Sequence, residues 1–179
     1  MDTKEKIDLL FKKISRYDFY INSTNGKTSI IIAWNGIIIG TILLKYTSII
    51  ALYLMSVWAY YAANVLLIIM AATSIVSIAF VFKVINPFLS SGFKGISYKS
   101  LMFFGDVAEM SLNEYTKKES DLSYEEALSD AMGQAHILAT GVNNKMKNMQ
   151  QSIRAINLGL LALLILVLLK GVIVYVSRL

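Results

Sequence analysis

The sequence contains no cysteine, one histidine and one proline among its 179 residues. The absence of cysteine excludes a disulfide framework, a thiol nucleophile and a thiolate metal site. A single histidine, His136, argues against zinc, because zinc sites combine several histidine or cysteine ligands. A GxxxxGK phosphate loop and an HExxH zinc motif are missing as well. We therefore expect a protein that is not an enzyme and that holds no metal and no resident cofactor.

Charge is also missing from long parts of the chain. Residues 28–44 and 46–82 hold no charged side chain, and Lys170 is the only one in residues 155–177. The hydrophobic fraction of 56% and the mean hydropathy of +0.58 are typical of an integral membrane protein.

Three transmembrane helices are predicted, at about 28–52, 59–82 and 155–177. The last of these is about 34 Å long as a helix, which is enough to cross a hydrocarbon layer of about 30 Å. One helix over residues 46–82 would reach about 55 Å, too long for one crossing, so we expect a short turn near 53–58. Aromatic residues typical of a membrane interface surround this turn: Tyr46, Tyr53, Trp58, Tyr60 and Tyr61.

A few polar and small residues interrupt the apolar spans. Asn35 lies in the first span, and the second span has a polar side formed by Asn64, Thr73, Ser74 and Ser77. Such side chains either bond to a neighbouring helix or line a water-filled path, and the sequence leaves both alternatives open. Gly36 and Gly40 form a GxxxG motif, which permits the close approach of another helix.

The last third of the chain, from Ser123 to Ser177, is predicted to be one helix. Ser123 and Glu126 have the spacing of a capping box at its start. Small and apolar residues then recur at steps of three and four, as in a packed helical seam. They are Leu128, Met132, Ala135, Ala139, Val142, Met146, Met149, Ile153, Ile156 and Leu160.

Two polar segments accompany the spans. Residues 1–27 carry six basic and four acidic side chains, and residues 83–154 carry eight of each. The positive-inside rule places both segments in the cytoplasm. Within them we expect an amphipathic helix over residues 3–22, a polar break at residues 22–26 and a soluble helix over residues 98–118.

The expected fold class is therefore an all-α integral membrane protein. It has three transmembrane helices plus a small cytoplasmic helical bundle, and its last long helix runs from the bundle into the membrane. The expected domains are a cytoplasmic amphipathic helix at 1–27, the three spans, and a cytoplasmic helical hairpin at 83–154.

Basic, amide and aromatic side chains cluster in sequence next to the first and third spans. Five of them precede the first span: Arg16, Tyr17, Asn22, Asn25 and Lys27. Six precede the third: Asn143, Asn144, Lys145, Lys147, Asn148 and Arg154. Guanidinium, ammonium and amide donors with a stacking tyrosine suit a phosphate-bearing ligand. Basic residues at span ends also meet lipid phosphates, so residue type alone leaves both interpretations open.

Three sequence blocks carry a family resemblance: RYDFYINSTNGKTSIIIAWN from Arg16 to Asn35, FFGDVAEMSLNEY from Phe103 to Tyr115, and LSDAMGQAHILATGVNNKMKNMQQSIRA, which contains Lys145 shortly before the last span. In order and spacing these blocks resemble the Pycsar effector transmembrane family over nearly the whole chain. One departure is the turn before Lys27, which reads Ser-Thr-Asn where Leu-Ala-Asp is expected. Asn25 therefore stands in the place of an aspartate.

The resemblance implies a role in bacterial antiphage defence. During infection a pyrimidine nucleotide cyclase makes cCMP or cUMP, and the effector responds by impairing the inner membrane, so that the infected cell stops growing or dies. The expected partners are membrane lipid, the cyclic pyrimidine nucleotide and further copies of the chain, with no nucleic acid. The residues expected to contact the ligand are Arg16, Tyr17, Asn25, Lys27, Asp106 and Lys145.

Two other functions fit the residues without the resemblance. One is a constitutive small channel or pore-forming protein, which the polar groups in the spans would suit. The other is a non-conducting membrane adaptor, whose long helix would recruit another protein.

Overall fold

A computed structural model describes residues 2–86 and 99–176 of the chain. Within these ranges the protein forms five helices and no strand. They are α1 (Thr3–Ala51), α2 (Val57–Ile85), α3 (Phe104–Ala108), α4 (Leu112–Ser120) and α5 (Tyr124–Val176). Three of them, α1, α2 and α5, are long and apolar enough to cross a membrane. The predicted class, an all-α membrane protein with three spans, is confirmed.

The chain divides into two compact units. One, which we call the bundle unit, comprises Met1–Thr24 and Asn86–Lys145. The other, the membrane unit, comprises Asn25–Ile85 and Met146–Leu179. Because α1 and α5 are unbroken, each of these two helices contributes residues to both units.

The predicted break at residues 22–26 is wrong, since α1 continues through it. Two threonines bond back onto their own helix here: Thr24 Oγ1 donates to the Tyr20 carbonyl at 2.7 Å, and Thr28 Oγ1 donates to the Asn25 carbonyl at 2.6 Å. Their hydroxyls are thereby satisfied without leaving the helix. The low helix propensities of asparagine, serine and glycine cost about 1 kcal/mol per residue or less relative to alanine. Costs of this size do not end a helix that continues on both sides.

The turn between the first two spans follows directly after α1. The backbone leaves the helix after Ala51, and α2 begins at Val57. Tyr53 in this turn is 2% exposed, and its hydroxyl donates a hydrogen bond of 2.8 Å to the Leu166 carbonyl of α5. The turn is thus fastened to the third long helix rather than only to its neighbours in sequence.

The single helix predicted over residues 98–118 is wrong; the described part of this segment forms α3 and α4 instead. Ser111 separates them. It has extended backbone angles, and its side chain accepts a hydrogen bond from the Glu114 amide as the N-cap of α4. A serine that caps a new helix competes with continuation of the previous one.

Helix α5 begins and runs as predicted. The Ser123 amide donates to Glu126 Oε2 at 2.9 Å and the Glu126 amide donates to Ser123 Oγ at 3.2 Å, which confirms the capping box. The bonds that the Ser123 amide and the Ser123 hydroxyl donate to the carboxylate lower the pKa of Glu126. Gly141, a glycine inside this helix, does not interrupt it. Ser177, the last residue of the predicted span, lies outside the described residues.

The buried face of α5 differs from the predicted seam. Of the predicted row only Ala135 is fully buried, and Met132, Ile153 and Leu160 are exposed. A row of mostly small or polar residues is buried instead: Ala131, Gln134, Gly141, Lys145, Ser152, Ala155, Gly159, Ala162 and Leu166. In the membrane unit, small side chains let the helices approach closely, and large apolar ones such as Ile153 and Leu160 are exposed.

Candidate functional site

Arg16 and Tyr17, two of the predicted ligand residues, lie on the part of α1 that belongs to the bundle unit. Arg16 is exposed and Tyr17 is partly buried. The Arg16 Nε donates a 2.9 Å hydrogen bond to the Tyr20 hydroxyl, and the guanidinium carbon lies 5.6 Å from the Tyr20 ring centre. This arrangement holds an exposed guanidinium in place, ready to bind an anion. Tyr20 is not among the predicted ligand residues, although its position four residues after Arg16 puts it on the same face of the helix.

Lys145 lies on α5 at the end of the bundle unit and is 7% exposed. Its Nζ donates a hydrogen bond of 3.3 Å to the Asn86 carbonyl oxygen. Burial lowers the pKa of Lys145, because the charged form loses hydration. A buried ammonium group is costly to maintain, and such groups concentrate at functional sites.

Asp106 on α3 is buried and accepts a hydrogen bond of 2.8 Å from the Ser100 amide. Asp130 on α5 is also buried and accepts from the Leu101 and Met102 amides at 2.9 and 3.3 Å. We call these two carboxylates the carboxylate clamp, because they hold three successive backbone N–H groups. The clamp fixes the start of the α3 segment on α5. This contact gives Asp106 a positioning role, and its predicted contact with ligand stays a prediction.

Asp130 could not have been selected from the sequence. Its partners lie 28 and 29 residues earlier in the chain, and no local pattern links them. Ser100 adds a local bond, since its Oγ accepts from the Met102 and Phe103 amides at 3.0 and 3.1 Å. This serine turn is typical of a short side chain that satisfies a loop backbone.

A cleft of about 750 Å³ lies in the bundle unit, with the clamped Leu101 in its wall. Its charged lining combines three lysines and three acidic residues: Lys99, Lys117, Lys118, Glu114, Asp121 and Glu126. Lys118 pairs with Glu114 at 3.0 Å, and Lys99 pairs with Glu109 at 3.0 Å, a bond that raises the pKa of Lys99. None of the six predicted ligand residues lines this cleft. The residues that line it carry no distinctive sequence signal, because single charges on a soluble helix usually face solvent.

The other two predicted ligand residues, Asn25 and Lys27, belong to the membrane unit. Lys27 is exposed. Asn25 is partly buried, and its Oδ1 has no hydrogen-bond partner among the described residues. The bonds of Arg16 and Asp106 go to Tyr20 and Ser100, so they do not join members of the predicted set.

A chain of polar side chains connects the three long helices inside the membrane unit. Asn35 Nδ2 on α1 donates to Ser77 Oγ on α2 at 2.9 Å, and Ser77 Oγ lies 2.8 Å from Ser152 Oγ on α5. All three residues are fully buried. The interhelical hydrogen bond, one of the two alternatives predicted for Asn35, is confirmed.

The remaining polar groups of the second span serve its packing. The Tyr46 hydroxyl on α1 donates to Asn64 Oδ1 at 2.6 Å, while Asn64 Nδ2 donates to the Tyr60 carbonyl at 2.8 Å. Thr73 Oγ1 donates to carbonyls of its own helix. The polar side of α2 therefore includes helix-to-helix contacts at two levels, through Asn64 and through Ser77.

Comparison with known proteins gives one match. The family model described as the Pycsar effector protein domain matches residues 9–171. Neither a search of curated proteins nor a search of solved structures finds a match. The matched range takes in all five helices, apart from the two ends of the chain.

Proposed function

The chain belongs to the Pycsar effector protein domain family, and from that premise we propose that a cyclic pyrimidine mononucleotide, cCMP or cUMP, activates it to impair the membrane. A Pycsar antiphage effector role and a membrane location follow from the family and from the three spans. The ligand, the membrane damage and the resulting abortive infection are the proposed part.

The observation that carries the proposal is the continuity of α1 and α5. Each helix holds predicted ligand residues in the bundle unit and continues as a membrane-spanning helix in the membrane unit. A nucleotide that binds one arrangement of the bundle unit more tightly than another shifts the population toward that arrangement. The two helices would carry this change into the spans.

Within the bundle unit we propose that Arg16 and Lys145 bind the phosphate and that Tyr17 or Tyr20 stacks on the base. A cyclic phosphate carries one negative charge, which suits an exposed guanidinium and a buried ammonium group. Asp106 contributes by holding the Ser100 backbone. Asn25 and Lys27 remain proposed ligand residues on the family resemblance alone.

We also propose the orientation, the assembly and the genetic partner. The bundle unit faces the cytoplasm of a bacterial cell and the spans lie in the inner membrane, because 14 of the 17 basic residues lie in 1–27 and 83–154. Copies of the chain assemble, since a side chain at Gly36 or Gly40 would meet nothing within 4 Å and that face of α1 is open. A pyrimidine nucleotide cyclase supplies the ligand.

The orientation can be measured with single cysteines, because the chain has none of its own. Met55, in the turn after α1, and Ser129, on α5 in the bundle unit, are both exposed. An impermeant maleimide applied outside spheroplasts should label a Met55→Cys variant and should label a Ser129→Cys variant only after lysis. The reverse pattern would contradict the proposed orientation.

The decisive experiment is dye release from liposomes that hold the purified protein. We expect release with cCMP or cUMP, and none with cAMP, cGMP or linear CMP and UMP. The Arg16→Ala variant should need about tenfold more nucleotide for half-maximal release, equivalent to about 1.4 kcal/mol. Lys13→Ala is the matched control, since Lys13 is an exposed cation on the same helix.

Two outcomes would overturn the proposal in different ways. Release without any nucleotide would favour a constitutive pore, the alternative that buried polar side chains in the spans support. Absence of release with every nucleotide, together with no binding heat at micromolar ligand, would favour a non-conducting adaptor. Size-exclusion chromatography with light scattering would test the assembly: a monomer in both ligand states would exclude it.

A further inference from the structure

The buried residues of the membrane unit differ between its two halves. Toward Tyr53 the core is apolar and includes Ile50, Leu67, Met70, Ala162 and Leu166. Toward Asn25 and Met146, the buried side chains include every fully buried amide, threonine and serine among the unit's described residues: Thr28, Asn35, Ser74, Ser77 and Ser152. Val81 and Val84 are buried in this half too. We call the two halves the apolar half and the polar half.

The polar half contains an acceptor that protein groups do not satisfy. Asn35 is 0% exposed, and its Nδ2 donates to the Ile31 carbonyl and to Ser77 Oγ. Its Oδ1 is buried and, in the part of the chain that the structure describes, has no hydrogen-bond partner. Buried amide oxygens are nearly always bonded, in membranes most of all, because lipid offers no donor.

One hydroxyl hydrogen of the neighbouring Ser77 and Ser152 pair is left without an acceptor in this cluster. Ser77 Oγ accepts from Asn35, and one of the two serine hydrogens forms the Ser77–Ser152 bond. The other hydroxyl hydrogen and the Asn35 Oδ1 acceptor remain. One molecule that both donates and accepts would complete the network, and water has this chemistry.

A second unsatisfied oxygen lies in the same half. Asn25 Oδ1 is buried without a partner among residues 2–86 and 99–176, and Asn25 precedes Asn35 by about 15 Å along α1. Fully buried Thr28 lies between them in sequence. In the described residues, both unsatisfied side-chain atoms thus belong to α1 and to the polar half.

We propose that the polar half of the membrane unit binds water at the Asn35–Ser77–Ser152 cluster, and that the apolar half closes the membrane to that water. The inference rests on the proposed function for its biological role: the polar half is the part of the leak path that is hydrated before activation. Activation then has to hydrate only the apolar half, around Leu67, Met70 and Leu166.

Silver ion reactivity of single cysteines tests the hydration. Ser152 and Ala162 are both fully buried and lie on α5, so Ser152→Cys and Ala162→Cys form a matched pair that differs in surroundings. The full chain in liposomes is exposed to Ag⁺ without nucleotide, then unfolded and labelled with a fluorescent maleimide. Because Ag⁺ reacts from water, we expect the Ser152→Cys thiol to be blocked roughly tenfold faster than the Ala162→Cys thiol. Equal rates, slow or fast, would overturn the inference.

Infrared spectroscopy provides a test on the native side chains. Exchange into H₂¹⁸O should shift a sharp O–H band of internal water in the wild type. The band should be lost in Asn35→Leu and kept in Asn64→Leu, whose site is partly exposed and bonded to Tyr46. A wild type without such a band, or a band that Asn35→Leu retains, would refute the site. Neither measurement uses nucleotide, so failure here leaves the activation proposal to be judged by dye release.

Discussion

Lys145 is a buried cation that opposes the stability of the fold, and we propose that it binds the ligand phosphate. Its ammonium group is buried beside the Asn86 carbonyl, and burial lowers its pKa below the ordinary 10.5. Between the lowered value and 10.5 the unfolded chain binds more protons than the folded one. The free energy of unfolding therefore rises with pH in that window, as the folded protein is relieved of a buried charge.

We predict that Lys145→Met removes this pH dependence. At neutral pH the variant should unfold within about 1 kcal/mol of the wild type, because loss of the hydrogen bond and loss of the buried charge offset each other. Chemical denaturation at a series of alkaline pH values would show the wild type gaining stability relative to the variant as pH rises toward 10.5. Nucleotide-dependent dye release should be lost, since the phosphate loses a cation.

Lys147→Met is the matched control, because Lys147 lies two residues further on α5 and is exposed. It should keep both the pH dependence and the release. If Lys145→Met retained full nucleotide response, Lys145 would be a structural residue only.

At the scale of elements, α5 packs through small residues, and Gly159 is the one that lies against Thr73 of α2. A Cβ added at Gly159 would lie 2.8 Å from Thr73 Oγ1 on α2. Turning the Thr73 side chain away would cost free energy, because its hydroxyl donates hydrogen bonds to the Ile69 and Met70 carbonyls. The contact explains why a glycine, which costs about 1 kcal/mol in a helix, is useful here.

We predict that Gly159→Ala destabilises the membrane unit by about 1–3 kcal/mol, since overpacking a helix contact forces a shift of one partner. Gly171→Ala is the control on the same helix, because nothing lies within 4 Å of an added Cβ there. Unfolding in SDS mixed micelles, followed by circular dichroism, would measure both. Thr73→Ala combined with Gly159→Ala should recover part of the loss; no recovery would show that the clash lies elsewhere.

At the scale of the whole molecule, the bundle unit has little apolar core in the part that the structure describes. The buried hydrophobic residues described in the bundle unit are Met110, Ala131 and Ala135, and the rest of its interior is polar, including Asp106 and Asp130. A small unit of this kind depends on its clamp, on its caps and on neighbours for stability. Under the proposed function, a modest difference in binding free energy between two arrangements would be enough for a ligand to rearrange this unit.

If α5 transmits the signal, breaking its backbone should separate binding from release. Lys147 is exposed, so Lys147→Pro changes the backbone rather than side-chain packing. A proline inside a helix removes a hydrogen bond and costs about 3 kcal/mol. We expect calorimetry to show nucleotide binding within about threefold of the wild type and dye release to be lost. Lys147→Ala should keep both, and a proline variant that still releases dye would assign the coupling to α1.

Several features of this protein were set by the sequence alone, because they depend on local physics. Long apolar runs with at most one charge inside determined the three spans. One helix over residues 46–82 would be about 55 Å long, too long for one crossing, and this determined the turn that the structure places after Ala51. The Ser123–Glu126 capping box determined where α5 begins, since both of its bonds join residues three apart.

Tertiary structure decided which face of each helix is inside. In the membrane unit, hydrophobic periodicity selected Ile153 and Leu160 on α5, and these face outward. In a membrane, lipid is as apolar as a protein core, so hydrophobicity does not tell inside from outside and close packing of small residues does. The Asp130 bonds of the carboxylate clamp and the Asn35–Ser77–Ser152 chain join residues 28 or more positions apart. Only the folded chain brings their donors and acceptors within bonding distance.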